Sequence, residues 1–187
     1  MKLLQLLPIG DIALGEIEAL GPTLAQRFHV PWDIVEPRLD PQFAFHAERQ
    51  QFHSTDLLDR MQRYLGPNTW RLLGITADDL YIPILTFVFG EAQMAGPAAV
   101  VSTHRLRQEF YGLERDERLE RERLLKEALH ELGHTLDLRH CGDYRCAMAS
   151  SHAVEWIDLK EGALCPSCNE RTTAHLPVQK TTRFRFF

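Results

Sequence analysis

The segment His130-Glu131-Leu132-Gly133-His134-Thr135-Leu136-Asp137-Leu138-Arg139-His140-Cys141 constrains the fold more than any other part of this 187-residue chain. In an α-helix each residue turns by about 100° and rises about 1.5 Å, so His130 and His134 lie about 40° apart on one face. Two imidazoles there can reach one metal ion. Glu131 lies about 60° from His134, near enough to reach a water at the metal without replacing a ligand. A histidine pair with a glutamate after the first is the pattern of a hydrolytic zinc site: two ligands and a general base. Zinc takes neutral imidazole nitrogens at roughly 2.0–2.1 Å, and catalytic sites keep one position open.

The flanking residues agree with this. Leu125, Leu129, Leu132 and Leu136 make an apolar stripe that centres roughly opposite the two histidines. One side of the helix can pack on a core while the other lines a cleft. Residues 114–123 (ERDERLERER) are charged and form helix well, so a helix over 114–137 with a solvated start is expected. His140 would lie about 240° round and about 9 Å along a continuing helix, out of reach of the same metal. The chain must therefore leave the helix and turn back. Glycine is the usual exit residue. Here the candidate hinge is Asp137, which tolerates the left-handed conformation better than most residues. The competing reading is three unrelated surface histidines.

All four cysteines, Cys141, Cys146, Cys165 and Cys168, fall in the last quarter of the chain. Cys165-Pro166-Ser167-Cys168 has a spacing that suits two thiolates on one zinc, and Cys141 and Cys146 supply a second pair. Four thiolates would close the coordination shell, which means structure rather than catalysis. Two disulfides, a redox pair or free thiols are the alternatives.

Taken together, His130-Glu131-x-x-His134-x5-His140-Cys141-x4-Cys146-x-Met148 followed by Cys165-x-x-Cys168 resembles the archaemetzincin family. Three upstream segments are also similar to that family: Asp79-Leu80-Tyr81-Ile82-Pro83, Phe87-Val88-Phe89-Gly90-Glu91-Ala92 and Val100-Val101-Ser102-Thr103-His104-Arg105-Leu106. The resemblance implies a metzincin-like α/β fold, with a twisted mixed sheet packed by helices, the active-site helix among them. It implies a zinc-dependent peptidase, whether aminopeptidase or endopeptidase. His130, His134 and His140 would bind the catalytic zinc and Glu131 would be the general base. Cys141, Cys146, Cys165 and Cys168 would hold a structural zinc, making two Zn2+ per chain. Met148, which alone reads as core filler, would form the Met-turn beneath the catalytic metal. The chain departs from metzincins at Asp137, where glycine is usual. It has Ser150 where some metzincins carry a tyrosine ligand, so no such ligand is expected.

The rest of the chain sets the frame. Its length supports one domain, 1–187, with an N-terminal lobe over 1–137 and a small zinc-stapled C-terminal lobe over 138–187. A hydrophobic fraction of 44% is enough for a core. The net charge of −5 argues against nonspecific nucleic-acid binding. Residues 1–10 hint at a signal peptide, but their apolar run is short and meets Pro8, Gly10 and Asp11. A buried first strand fits better. No run approaches the roughly 18 apolar residues of a membrane span. The expectations are a cytoplasmic monomer with no nucleic-acid or membrane partner and a peptide as substrate.

Strands are expected at Leu3–Ile9, 33–37, 70–76, 84–89 and 98–103, on β-branched and aromatic content. A mostly helical segment spans 11–28, a loop 38–53, and a helix capped by Ser54 runs to about 65. Alternation of these segments gives an α/β class. Residues 87–95 are the candidate sheet edge to which an extended peptide would add. His29, His46, His53, His104, His152 and His175 lack partner spacing and read as structural or exposed. The end of the chain, with Arg171, Lys180, Arg183, Phe184, Arg185, Phe186 and Phe187, reads as a terminal strand or docked segment. The alternative there is a site for an acidic partner. The rival functions are a non-catalytic zinc module that binds peptides or partners, and a metal-dependent ribonuclease. The module would have no need of Glu131.

Overall fold

The computed structural model describes residues 1–177. A five-stranded sheet forms the centre, in the order β2-β1-β5-β8-β7. Its strands are β1 (Leu3–Ile9), β2 (Trp32–Ile34), β5 (Thr69–Thr76), β7 (Gly90–Ala92) and β8 (Ala98–Ser102). All pairings are parallel except the last, where β7 runs antiparallel to β8. Side chains alternate between the faces of a strand, and both faces of this sheet are covered. Leu4, Leu6, Leu73, Ile75, Ala99 and Val101 point to one core, and Leu7, Ile9, Leu72, Ala98 and Val100 to the other. That is why the central strands read as continuous apolar runs rather than alternating ones.

Helices α1 (Leu14–Phe28) and α3 (Glu117–Thr135) pack on the first face, and α2 (Ser54–Met61) on the second. The leucine stripe predicted for α3 is largely borne out: Leu129, Leu132 and Leu136 are buried in the first core, with Leu125 packed against it. α3 starts at Glu117, capped by Asp116, whose carboxylate accepts the Leu119 N–H at 2.9 Å. Its first turns are less solvated than expected. Glu120 and Arg123 are buried and answered by Arg107 and Asp158. After α3 come α4 (Val154–Leu159) and α5 (Pro166–Thr173).

Four expectations need correction. The segment 38–53 is not only loop: it contains β3 (Phe45–His46) and β4 (Gln51–His53), which join β6 (Leu80–Tyr81) in a second small sheet. Ser54 is the first residue of α2 rather than its cap, and its hydroxyl donates to Tyr81 O and Glu91 instead. The run 84–89 is not a strand. Only Val88 bridges to Leu80, and the regular edge strand begins at Gly90. The carbonyls of Leu85 and Thr86 are taken by side chains, Arg49 and Gln51, so no ladder forms there. β2 is also shorter than the segment 33–37 suggested. The positions from Lys180 to Phe187 lie outside the described residues.

Candidate active site

α3 ends where the sequence requires it to end. Leu136 closes the helix, and Asp137 adopts the left-handed conformation at φ 60°. The Leu138 N–H donates to Gly133 O at 3.0 Å and the Asp137 N–H to His134 O at 3.1 Å. These are the two bonds of a Schellman exit. The hinge is thus an aspartate, and the chain turns back to bring His140 beside the helix.

The three imidazoles converge. The His140 ring centroid lies 5.2 Å from that of His130 and 5.1 Å from that of His134. One ligand atom from each of the three lies within 4.8 Å of the others. Backbone carbonyls fix the tautomers of the helical pair. His130 Nδ1 lies 2.8 Å from Ala147 O, and His134 Nδ1 lies 2.8 Å from Leu138 O. A carbonyl only accepts, so each Nδ1 carries the proton and each Nε2 is a bare lone pair. The two Nε2 atoms face each other at 3.1 Å. Neither can donate to the other, and the pair is placed so that both lone pairs could bind one metal ion. Two tetrahedral zinc–nitrogen bonds would set nitrogens about 3.3 Å apart. Burial lowers the proton affinity of all three histidines, His130 most strongly, and the Lys160 charge adds to this. Neutral imidazole is the form that binds metal.

Glu131 is buried on the same helix and lines the same cavity. Desolvation pushes its carboxyl well above the ordinary range, and Glu127 one turn earlier pushes it further. Gly90 at the start of β7 makes room for it: a Cβ there would lie 2.6 Å from Glu131 Cγ. Gly133, between the two histidines, makes room for Met148, whose Sδ would lie 2.2 Å from an added Cβ. Met148 is fully buried against Leu138, Cys146 and Cys168. The loop carrying it touches both the helical histidines and the first cysteine. Ala147 O holds His130, and Met148 O accepts the Cys141 N–H at 2.9 Å.

Cys141, Cys146, Cys165 and Cys168 also come together, with Sγ atoms within 4.8 Å of one another. None forms a disulfide. Cys141 Sγ and Cys165 Sγ are 3.8 Å apart, the separation that two tetrahedral zinc–thiolate bonds of about 2.3 Å produce. Backbone N–H groups of Asp143 and Cys165 point at the sulfurs of Cys141 and Cys146. Burial pushes the Cys146 and Cys168 thiols up, while the Cys168 N–H holds Cys165 down. The four sulfurs are placed so that they could hold one metal ion between them.

The three histidines open onto a cavity of about 470 Å³. One wall is the stretch from Leu85 to Ala92, ending in the edge strand, and another is Ser150, Ser151 and His152. His152, read from the sequence as structural or exposed, is exposed and lies on this wall, with its ring 5.8 Å from that of Trp156. Glu127 was missed. It lines the cavity and is ion-paired with the fully buried Lys160 at 2.9 Å. Its spacing four residues before Glu131 was the available signal. Nothing in the sequence marks Lys160.

Residues 43–173 match the model of peptidase family M54. The chain belongs to this family, the archaemetzincins. It is 38% identical to the archaemetzincin of Methanocaldococcus jannaschii over 164 residues, covering 86% of this chain and 87% of that one. A crystal structure of the Archaeoglobus fulgidus archaemetzincin is similar at a TM-score of 0.78 and 34% identity, covering 91% of this chain and 99% of that one. A zinc-dependent peptidase from Methanocorpusculum labreanum is similar at 0.81 and 26%, covering 90% and 99%. As an archaemetzincin the chain is a zinc metallopeptidase, a hydrolase acting on peptides. The non-catalytic module and the ribonuclease are set aside. Among the described residues no helix is long and apolar enough to cross a membrane.

Proposed function

We propose that this archaemetzincin cleaves peptide bonds with a water activated by Glu131, beside a zinc held by His130, His134 and His140. A second zinc, held by Cys141, Cys146, Cys165 and Cys168, is structural. The observation that carries this reading is the pair of bare Nε2 atoms 3.1 Å apart, with buried Glu131 lining the same cavity. Zinc at the histidines supplies Lewis acidity toward the scissile carbonyl and toward the water. Glu131 accepts the proton as the water attacks, then delivers it to the leaving amine. Its raised proton affinity suits it to hold that proton between the two steps. Met148 forms the apolar floor beneath the histidines.

The peptide lies along the edge strand Gly90–Ala92, which among the described residues pairs only with β8. The chain works as one unit, 1–187, in which 1–137 form the lobe with the sheet and the active-site helix. The lobe from 138 onward keeps His140 in place. Four cysteines placed to hold one metal ion suit a reducing, cytoplasmic setting.

The test is a metal count together with hydrolysis of a peptide library, for the parent and for Glu131→Gln. Two zincs in both proteins, and a fall in turnover of about 10²–10⁴-fold in the variant, are expected. Undiminished turnover in the variant would remove Glu131 from its role.

A further inference from the structure

The segment 82–89, which fails to form a strand, is nonetheless held firmly. Arg49 Nη2 donates to Leu85 O at 2.8 Å and to Thr86 O at 2.9 Å. Its Nε donates to Gln51 at 2.9 Å, and its guanidinium lies 4.2 Å over the Tyr81 ring. Buried Gln51 donates in turn to Thr86 O and to Asp79, both at 2.9 Å. Asp79 forms a two-point ion pair with Arg105, whose guanidinium sits 4.2 Å over the Phe87 ring. Two arginines, joined through Gln51 and Asp79, therefore pin the segment from behind. Arg49 holds its backbone and Arg105 holds its aromatic ring. The carbonyls of Leu85 and Thr86 need such partners, since no strand ladder satisfies them.

What these clamps present to the cavity is apolar. The segment reads Ile82-Pro83-Ile84-Leu85-Thr86-Phe87-Val88-Phe89 and carries no charge. Leu85 to Phe89 line the same cavity as the three histidines, and Leu85 is 49% exposed. The carboxylates on the cavity wall other than Glu131 are already answered: Glu91 by Ser54 and Thr55, Glu127 by Lys160. A substrate side chain lying against this lip meets apolar surface.

We propose that residues 85–88 form a pinned lip that selects peptides presenting an apolar side chain beside the scissile bond. Leu85 and Phe87 contact that side chain, and Arg49 is the positioning residue that shapes the lip. The inference rests on the peptidase reading, because its occupant is the peptide substrate. Arg49 touches no reacting atom and acts only through the carbonyls of Leu85 and Thr86.

The experiment measures peptide binding to zinc-loaded Glu131→Gln protein, so that binding is read apart from hydrolysis. Matched short peptides carry Leu or Phe, against Asp or Lys, scanned through successive positions. In one register the apolar peptides should bind at least about tenfold tighter. Leu85→Ser, a change at a half-exposed position, should reduce that preference to about threefold or less. Arg49→Ala should do the same while zinc content stays at the parent's level. If Arg49→Ala does not fold, Arg49→Lys serves. Lysine keeps a charge near Tyr81 but lacks the planar fork, so it should give an intermediate preference. In hydrolysis by the parent background, the Arg49 variants should raise KM for apolar peptides more than they lower kcat. Equal binding of charged and apolar peptides in every register, no binding of any peptide, or a preference that survives both substitutions would overturn the lip. Binding with the expected preference but no hydrolysis by the parent would sink the peptidase reading and leave the lip standing.

Discussion

The histidine cluster and the cysteine cluster lie next to each other in the chain but are built by opposite means. His130, Glu131 and His134 ride on one face of a long helix, so the backbone places them and the core beneath α3 holds them. Cys141, Cys146, Cys165 and Cys168 sit on loops and at the start of a short helix, α5. Their own small apolar cluster contains little beyond Leu138, Met148 and Leu164. A site built on a regular helix keeps its shape from packing. A site built on loops would depend on a bound ion for its shape, because structural metal binding is folding energy. The histidine cluster faces a cavity, whereas the sulfurs face one another.

The sharpest way to break this contrast is to remove one sulfur. Cys165→Ser should destabilise the segment after Leu138 by several kcal/mol, since structural zinc in small domains contributes about 10 kcal/mol or more. Melting of the zinc-loaded variant measures this, and a transition matching the parent's would deny the cysteine cluster its structural role. The hydrogen exchange of α3 amides should change far less than that of residues 138–177, because α3 is held by the core. A smaller effect tests the contact between the clusters. Gly133→Ala drives a methyl toward Met148 Sδ and should cost about 1–3 kcal/mol in denaturant unfolding. An unchanged midpoint would mean that Met148 swings aside and does not link the two sites. The smallest expected change is at the hinge. Asp137→Gly relieves a non-glycine residue at φ 60° and should stabilise the zinc-loaded protein by up to about 1 kcal/mol. A loss of stability instead would show that the aspartate side chain contributes something the backbone geometry does not reveal.

The same contrast explains what was legible in the sequence. The helical site was readable almost to the residue because a period of about 3.6 fixes which side chains share a face. The position of the hinge followed from the rise of the helix. The gathering of the cysteines also followed, from their spacing. What escaped was whatever depends on partners far along the chain. Ile84 to Phe89 has the composition of a strand, but the carbonyls of Leu85 and Thr86 are claimed by Arg49 and Gln51, more than thirty residues earlier. β3, β4 and β6 are two or three residues each, too short for any period to show. His152 reaches the cavity from the turn before α4, and Lys160 reaches Glu127 from the end of α4, and no local pattern announces either. Glu127 could have been read, since its spacing from Glu131 puts both on one face of α3.

The edge strand has one further consequence. Gly90–Ala92 leaves one side of its backbone without a β-partner among the described residues. Such an edge can template pairing with any extended chain, including a second copy of this protein or one still folding. The enzyme cannot cover it without closing its own cavity. Instead the strand is kept to three residues and carries a charge at Glu91. Both features shorten the stretch on which aggregation could start.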